Sequence, residues 1–401
     1  MTSESSEFTP LSLSFSEVRR SIPDHLFQRN TLRASRYLLQ DVILAATLCW
    51  AAMHIDPLIG YLNTHHGLHQ WMSSLLYVAC WFAYWWFQGL VFTGLWVIGH
   101  ECGHGAFSSS RFVCNAIGFI IHTLLWTPYF SWKFIHHRHH AHHASMEHDE
   151  VYVPKTRMEL GIPKETKDKR IDYTEYFGDT PLWMLILLIR QQLFAFPSYL
   201  LTNVSGRKDY PRWTNHFNPN AIFFSDAQRN AVWASNIGIL TIMMITIKAI
   251  NMFGFGTFVR FYGIPWLFVS HWFVMITYLH HTSADLPHYR ETAWNFQRGA
   301  AATVDRNFLG WQGRFFLHDV AHFHVIHHFF PHMPWYNGEE ATEHLKNVLG
   351  PHYHRSDEPV FTALWRTYNI CQFVEDDGNI LFYKDKEGRM NRSQQVQIND
   401  M

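Results

Sequence analysis

The sequence predicts an all-α integral membrane protein with four transmembrane helices in two hairpins and a cytoplasmic helical cap that holds a histidine-rich site. Of the 401 residues, 48% are hydrophobic and only 16% are charged, against about a quarter charged in soluble domains. Several apolar runs reach the roughly 20 residues needed to cross a bilayer. The 29 histidines recur at helical spacing beyond the ends of these runs.

The N-terminal region, residues 1–40, is expected to lie at the membrane surface. Its first ten residues are rich in serine and acidic residues and carry no signal peptide, so a disordered start is expected over 1–15. Residues 16–40 place five arginines among apolar positions, which is typical of a basic interfacial helix on the cytoplasmic side. A solvated basic segment fits the same composition.

Residues 41–99 are predicted to form the first transmembrane hairpin. Apolar runs at about 41–62 and 72–99 are long enough to span the bilayer. The loop between them, 63–67, has no Lys or Arg, as expected of a non-cytoplasmic loop. The second span therefore ends on the cytoplasmic side, where it delivers His100.

Residues 100–230 are predicted to stay cytoplasmic, with two histidine motifs and interfacial helices. The two motifs flank the short apolar stretch 112–130, which cannot cross the membrane if both motifs serve one site. The apolar stretch 182–203 contains Arg190 and two glutamines, and such side chains cost several kcal/mol at bilayer depth. This stretch is therefore assigned to the membrane surface.

Residues 231–281 are predicted to form the second transmembrane hairpin, with spans at about 231–253 and 258–279. Residues 282–401 are mostly polar and form the cytoplasmic cap with the third histidine motif. Both termini and all three motifs then lie on the cytoplasmic side, and only His271 is mid-span.

Three histidine motifs have the spacing of one helix face. Residues at i, i+3 and i+4 lie about 5–6 Å apart at Cβ, and neutral imidazole is a common ligand of iron, zinc and copper. The first motif is His100-Glu101-Cys102-Gly103-His104, the second spans 136–140 and the third spans 324–328. Their best-placed ligands are His100, His104, His136, His139, His140, His324, His327 and His328.

This ligand set favours a pair of iron ions. Eight imidazoles exceed what one tetrahedral zinc uses, and the five cysteines are scattered without a C-x-x-C pair, so no thiolate site is expected. A nitrogen-rich site suits non-haem iron that activates O2. Two irons can together supply the electrons that split O2, which yields an oxidant able to remove hydrogen from an unactivated methylene.

A ninth ligand is expected at the cytoplasmic end of the fourth span, where His281 and His280 are rival candidates. Asp149 and its acidic neighbours Glu147 and Glu150 either orient imidazoles of the second motif or form a solvated turn. Histidines outside the motifs are expected to be ordinary surface or core residues, namely His65, His66, His122, His142, His143, His216, His332, His352 and His354.

Two other function classes fit the sequence less well. A net charge of −1 gives no basic field, so no nucleic-acid partner is expected. A histidine-rich membrane metal transporter is the alternative outside the enzyme class. It would place its ligands near the bilayer midplane along a path, whereas only His271 lies there.

The motifs resemble the membrane acyl-lipid desaturases, specifically the delta-12 (oleate) and omega-3 branch of fungi and plants. The first motif with Gly105-Ala106-Phe107 is similar to that family's first histidine box, and the third motif matches the third box. The resemblance covers about residues 12–385. Other similar segments are Ser131-Trp132-Lys133, Asp149-Glu150-Val151-Tyr152-Val153-Pro154, Ile22-Pro23, Phe27-Gln28-Arg29, Asn203-Val204-Ser205-Gly206-Arg207 and Leu286-Pro287-His288-Tyr289.

The resemblance implies a multi-pass enzyme of the endoplasmic reticulum membrane with a non-haem di-iron centre. Such an enzyme uses O2, with cytochrome b5 and its reductase as electron donors, to put a cis double bond into a phospholipid-bound acyl chain. No fused haem-binding segment is visible, so a separate donor protein is expected. By position, the resemblance implies as catalytic iron ligands His100, His104, His136, His139, His140, His281, His324, His327 and His328.

The regiochemistry rests on few residues. Glu101 in the first box is similar to the delta-12 branch, because omega-3 members more often carry Asp there, so conversion of oleoyl to linoleoyl is expected. Ser283 stands where plant members have a second His, and His322 stands where an acidic residue is common. These departures leave an omega-3 desaturase, an acetylenase, a hydroxylase or a conjugase as alternatives.

Overall fold

The computed structural model describes residues 6–165, 171–178 and 180–394, and these are mainly helical. The helices are α1 (Phe15–Ser21), α2 (Thr31–Met53), α3 (Ile55–His66), α4 (Gln70–His104), α5 (Arg111–Leu124), α6 (Tyr129–His142), α7 (Thr174–Phe177), α8 (Pro181–Thr202), α9 (Arg229–Phe253), α10 (Phe255–Phe258), α11 (Ile264–His281), α12 (Phe296–Ala301), α13 (Trp311–Phe316), α14 (His324–Phe329), α15 (Gly338–Leu349) and α16 (Val360–Ile370). A π-helical turn lies at Val259–Gly263, and short 3-10 turns lie at Asp24–Phe27, Met158–Leu160, Asp226–Gln228, Trp335–Asn337 and Gly350–His352.

Short strands tie together distant parts of the chain. The strands are β1 (Ser6–Phe8), β2 (His288–Tyr289), β3 (Asp305–Arg306), β4 (Arg355–Ser356), β5 (Ile380–Leu381) and β6 (Arg392–Gln394). β1 pairs in parallel with β6, β2 pairs antiparallel with β5, and β3 pairs in parallel with β4. The described part of the N-terminal start is thus ordered, although disorder was expected over 1–15, and residues 1–5 lie outside the described residues.

The first hairpin begins earlier than the apolar run suggests. The side chain of Asn30 accepts a hydrogen bond from the backbone N–H of Arg33 at 3.0 Å, which caps α2 so that the helix starts at Thr31. The expected surface helix over 16–40 is therefore divided among α1, a 3-10 turn and the first turns of α2. α4 then runs to His104 and carries the first motif beyond the apolar run.

Among the described residues, five helical stretches are long and apolar enough to cross a membrane, namely Thr31–His66, Gln70–His104, Pro181–Thr202, Asp226–Phe253 and Phe255–His281. Four of them overlap the predicted spans. α8, assigned to the surface because of Arg190, also qualifies by length and composition, so the four-span arrangement stays a prediction. α5 and α6 meet at 109°, so the apolar stretch 112–130 ends in a sharp turn.

Close packing on α4 positions the helices that carry the histidines. A Cβ on Gly99 would lie 2.3 Å from the ring of His122 on α5, and a Cβ on Gly89 would lie 2.4 Å from the Cβ of Phe268 on α11. Both distances are shorter than van der Waals contact allows, so only glycine lets these helices approach α4 this closely. The two glycines therefore hold α5 and α11 against the helix that ends in the first motif.

The C-terminal part of the chain packs onto α1 and the start of α2. α1, α14 and α15 share an apolar core that buries Val18, Val325 and Leu345. A polar tie adds to this core, because His318 Nε2 lies 2.7 Å from Asp41 Oδ2 on α2, and both residues are buried. A buried carboxylate is tolerated only with such a partner, so the segment before the third motif is fixed against the first span.

Candidate metal centre

Four helices bring the nine predicted ligands to one place. The last turn of α4 carries His100 and His104, α6 carries His136, His139 and His140, α11 ends at His281, and α14 carries His324, His327 and His328. All are buried except His136, which is half-buried. Side chains separated by up to 228 positions in the sequence thus face one another, in two neighbouring clusters.

Cluster A consists of His100, His104, His136, His140 and His327, each with a ring nitrogen within 4.8 Å of those of the others. His100 Nε2 lies 2.8 Å from His136 Nε2 and 3.2 Å from His104 Nε2. His140 Nε2 lies 3.1 Å from His136 Nε2. Five buried or half-buried ring nitrogens this close together are the arrangement expected of a metal site.

Cluster B consists of His139, His143, His281, His324 and His328. It is made of two groups that share His281, and within each group the ring nitrogens lie within 4.8 Å of one another. His281 Nε2 lies 3.3 Å from His324 Nε2. The clusters are direct neighbours, because the ring of His140 in cluster A stacks on that of His328 with centroids 4.2 Å apart.

Two buried carboxylates accept hydrogen bonds from the Nδ1 atoms of cluster histidines. His139 Nδ1 donates to Asp149 Oδ1 at 2.7 Å, and His100 Nδ1 donates to Glu101 Oε1 at 2.9 Å. A carboxylate in this position fixes the ring and leaves Nε2 as the ligand atom. The contact of Asp149 agrees with its expected orienting role, whereas Glu147 and Glu150 pair with arginines.

The surroundings set the protonation states that a metal site needs. Burial lowers the pKa of His327 to about 3 and the pKa of His328 well below its usual value. Burial alone would raise the pKa of Asp149, but contacts with His139 and His143 lower it overall. Metal binding requires neutral imidazoles, and an ionised Asp149 can accept their N–H groups.

The donor set fits a bound metal. Neither ring nitrogen of His328 has a hydrogen-bond partner among the described residues, and the same holds for Nε2 of His327 and Nδ1 of His140. Unpartnered buried polar atoms are costly, and coordination would satisfy those that face the cluster centres. Both clusters, as far as the chain is described, contain imidazoles alone, which is typical of non-haem iron rather than of thiolate sites.

His280, the rival candidate to His281, and His271, the mid-span histidine, lie outside the clusters. His280 Nδ1 lies 2.5 Å from the carbonyl oxygen of Ile276, and its Nε2 lies 2.9 Å from that of Ala321. A neutral imidazole can donate to only one of these carbonyl oxygens, but both ring nitrogens face the backbone. His281, and not His280, belongs to cluster B. His271 packs beside the ring of Trp272 with centroids 4.5 Å apart and joins neither cluster.

One member of cluster B, His143, is not among the predicted ligands. It follows His139 by four positions, which is the spacing that marks the other pairs. However, it lies outside the motif and one residue beyond the end of α6. Only the fold reveals that the chain turns its ring back toward α11.

Asp305 holds the short helix that carries the third motif. α14 has only six residues, which is too short to be stable alone. The backbone N–H of Val325 donates to Asp305 Oδ1 at 2.7 Å, and the hydroxyl of Tyr353 donates to Oδ2 at 2.5 Å. Burial raises the pKa of Asp305 to about 7. Nothing in the motif itself signals this support, which comes from β3.

An apolar cavity of about 800 Å³ lies beside the clusters. Its polar wall includes His100, His136, His139, His281 and His324. The remaining wall is largely apolar, and its members include Trp96, Val97, Trp132, Val151, Phe194, Ala195, Phe196, Phe273, Val274 and Ile276. A hydrocarbon chain in this cavity would lie against ring nitrogens of both clusters.

Comparison with known proteins identifies related chains. A model of the Fatty acid desaturase family matches residues 74–359. The chain is 41% identical over 377 residues to a Delta(12) fatty acid desaturase of Mortierella isabellina, covering 92% of this chain and 90% of that protein. It is 37% identical over 411 residues to an oleate hydroxylase of Claviceps purpurea (94% and 82% covered), and 37% identical over 366 residues to a fatty acid conjugase of Calendula officinalis (90% of each covered).

Proposed function

The chain belongs to the fatty acid desaturase family and is thus an oxidoreductase of lipid metabolism, and from this premise we propose that it converts a phospholipid-bound oleoyl chain to linoleoyl by delta-12 desaturation. The observation that carries the proposal is the pair of histidine clusters along the wall of an apolar cavity. The similarity to the Mortierella isabellina Delta(12) fatty acid desaturase over most of both chains supports the position of the new double bond.

The clusters would hold two iron ions. The proposed ligands include the nine expected from the sequence, namely His100, His104, His136, His139, His140, His281, His324, His327 and His328. A bound iron pair would supply, with O2, the oxidant that removes two hydrogens from adjacent methylenes. The chain's own contribution is to fix the imidazoles through Asp149 and Glu101 and to hold the acyl chain in an apolar slot.

Arg190 supports a phospholipid as the carrier of the acyl chain. Its side chain lines the cavity, is exposed, and has no carboxylate partner among the described residues. Gln191 lies beside it with a buried side-chain oxygen that has no hydrogen-bond partner among the described residues. A guanidinium at the edge of an apolar cavity suits a phosphate group, so we place the headgroup there.

Replacing Arg190 by Ala is expected to raise KM for the phospholipid substrate roughly tenfold, because a charge-assisted hydrogen bond contributes about 1.5–3 kcal/mol, while kcat changes little. R190K should retain part of the affinity, and R212A, which removes an exposed arginine that does not line the cavity, should behave as the wild type. The measurement is initial rate against substrate concentration in vesicles. An R190A enzyme with unchanged KM would remove the headgroup assignment.

We also propose that the chain lies in the endoplasmic reticulum membrane, with both termini cytosolic and α8 at the membrane surface. Cytochrome b5 and its reductase are the proposed electron donors. In support, the first motif at the end of α4 and the third motif on α14 contribute to one site. Both motifs must therefore lie on the same face of the membrane. Arg190 also argues for a surface position of α8. Turnover by the purified chain with cytochrome b5, its reductase and NADH tests the donor, and a reporter fused to either terminus tests the topology.

Similar chains are named for other reactions of fatty acids. The similarity to an oleate hydroxylase and to a fatty acid conjugase keeps hydroxylation and conjugation as second candidates, together with omega-3 desaturation and triple-bond formation. A metal transporter is disfavoured, because the clusters lie at helix ends and His271 joins neither.

Expression in a yeast that lacks polyunsaturated lipids is expected to produce linoleate. The measurement is gas chromatography with mass spectrometry of lipid methyl esters, after feeding monounsaturated and diunsaturated acids in parallel. A hydroxylated, triple-bonded or conjugated product would replace the delta-12 assignment. An unchanged profile from membranes that contain the chain would count against desaturation itself.

A further inference from the structure

His143 is the one member of the clusters that is not among the nine ligands predicted from the sequence. It is the residue that caps the C-terminal end of α6, and its side chain is 2% exposed. Its ring centroid lies 4.6 Å from that of His281, 4.7 Å from that of His328 and 5.1 Å from that of His139. It therefore packs against three other members of cluster B.

The carboxylate of Asp149 engages His143 in the same way as it engages His139. Its Oδ1 accepts from His139 Nδ1 at 2.7 Å, and its Oδ2 lies 3.3 Å from His143 Nδ1. The backbone N–H groups of Ala144 and Val151 donate to the same carboxylate at 2.9 Å and 3.2 Å, which fixes its position. One carboxylate thus holds two rings by their Nδ1 atoms, as carboxylates do behind metal-bound histidines.

The opposite nitrogen of His143 points into cluster B. His143 Nε2 lies 3.3 Å from His281 Nδ1 and 3.0 Å from the carbonyl oxygen of Ala302. With Nδ1–H donated to Asp149, Nε2 carries a lone pair and cannot donate to that carbonyl. A cation beside Nε2 satisfies this arrangement, and the nearest nitrogens available to share it belong to His139 and His281.

We propose that His143 Nε2 is a ligand of a metal ion in cluster B, next to His139 and His281. Asp149 is then the common support of two ligands, and its loss would affect both. The inference rests on the proposed di-iron function and assigns to cluster B a ligand that lies outside the histidine motifs. A purely structural His143 would instead donate Nε2–H to Ala302 and leave the metal to the other four rings.

The test compares metal retention in H143A, H143Q and H143C with that in the wild type. H142A is the matched control, because His142 is adjacent, half-buried and hydrogen-bonded by Nδ1 to the carbonyl oxygen of Arg138 at 3.1 Å. Each full-length chain is purified in detergent, checked for monodispersity, loaded with ferrous iron and titrated with a chelator while bound iron is counted. Cobalt(II) loading of H143C adds a spectroscopic readout that requires no turnover.

H143A and H143Q are expected to lose one of two irons at a chelator concentration about 10–100-fold lower than the wild type and H142A. Cobalt-loaded H143C should show a thiolate-to-metal charge-transfer band that the wild type lacks. Retention of both irons by H143Q at the wild-type chelator concentration, with no such band in H143C, would overturn the proposal, since glutamine can still donate to Ala302. A wild type that fails to bind two ions would instead refute the di-iron function itself.

Discussion

Replacing His327 by Ala is expected to abolish desaturation while leaving the chain in the membrane. His327 is buried in cluster A, with its ring centroid 4.7 Å from that of His100 and 4.7 Å from that of His140. Loss of a side chain that supports a metal ligand lowers metal affinity or activity about 10–100-fold. Loss of a ligand itself should lower them at least as much. His327 lies on α14, outside the five candidate membrane spans among the described residues.

The measurement is the fatty acid profile of yeast expressing H327A, with the amount of chain in the microsomes determined by immunoblot. H352A is the control, because His352 lies in a 3-10 turn outside both clusters and should leave the profile unchanged. Linoleate at the wild-type level from H327A would contradict the role of His327 as an iron ligand.

Replacing Ala195 by Trp is expected to block turnover without loss of iron. Ala195 lies on α8, lines the cavity and belongs to neither cluster. An indole in its place would fill part of the 800 Å³ cavity that the acyl chain must enter, and overpacking of a fitted space is poorly tolerated. We expect activity to fall at least about tenfold, while two irons remain bound.

The measurement combines the rate of product formation with the iron content of the same sample. L185W on α8 is the matched control, because Leu185 is 43% exposed and does not line the cavity. Equal activity of A195W and L185W would show that the cavity is not the substrate site. Loss of iron from A195W alone would assign its defect to the clusters instead.

The histidine spacing predicts much of the site, because side chains at i, i+3 and i+4 lie on one face of a helix whatever the helix packs against. It does not predict His143, whose position depends on how the chain turns after α6, nor Asp305, which supports α14 from a strand distant in sequence. The sequence also does not predict that Asp41 pairs with His318, since the two residues are 277 positions apart. Contacts of this kind come from packing and not from local patterns.

The membrane helices are predicted well where length and apolarity decide and less well at their ends. Asn30 sets the start of α2 through a single cap, and counting apolar residues does not register such a cap. α8 combines a span-like composition with Arg190 and two glutamines. Its hydropathy favours a position across the membrane, whereas these polar side chains favour a position at the membrane surface. In the proposed arrangement its polar residues serve the cavity, which would explain why they interrupt an apolar helix.

Iron analysis of the purified wild-type chain together with its Mössbauer spectrum tests the central claim most directly. The two neighbouring histidine clusters predict two irons per chain that interact as one coupled pair. A single bound ion, a preference for zinc, or two irons that behave as isolated centres would contradict it.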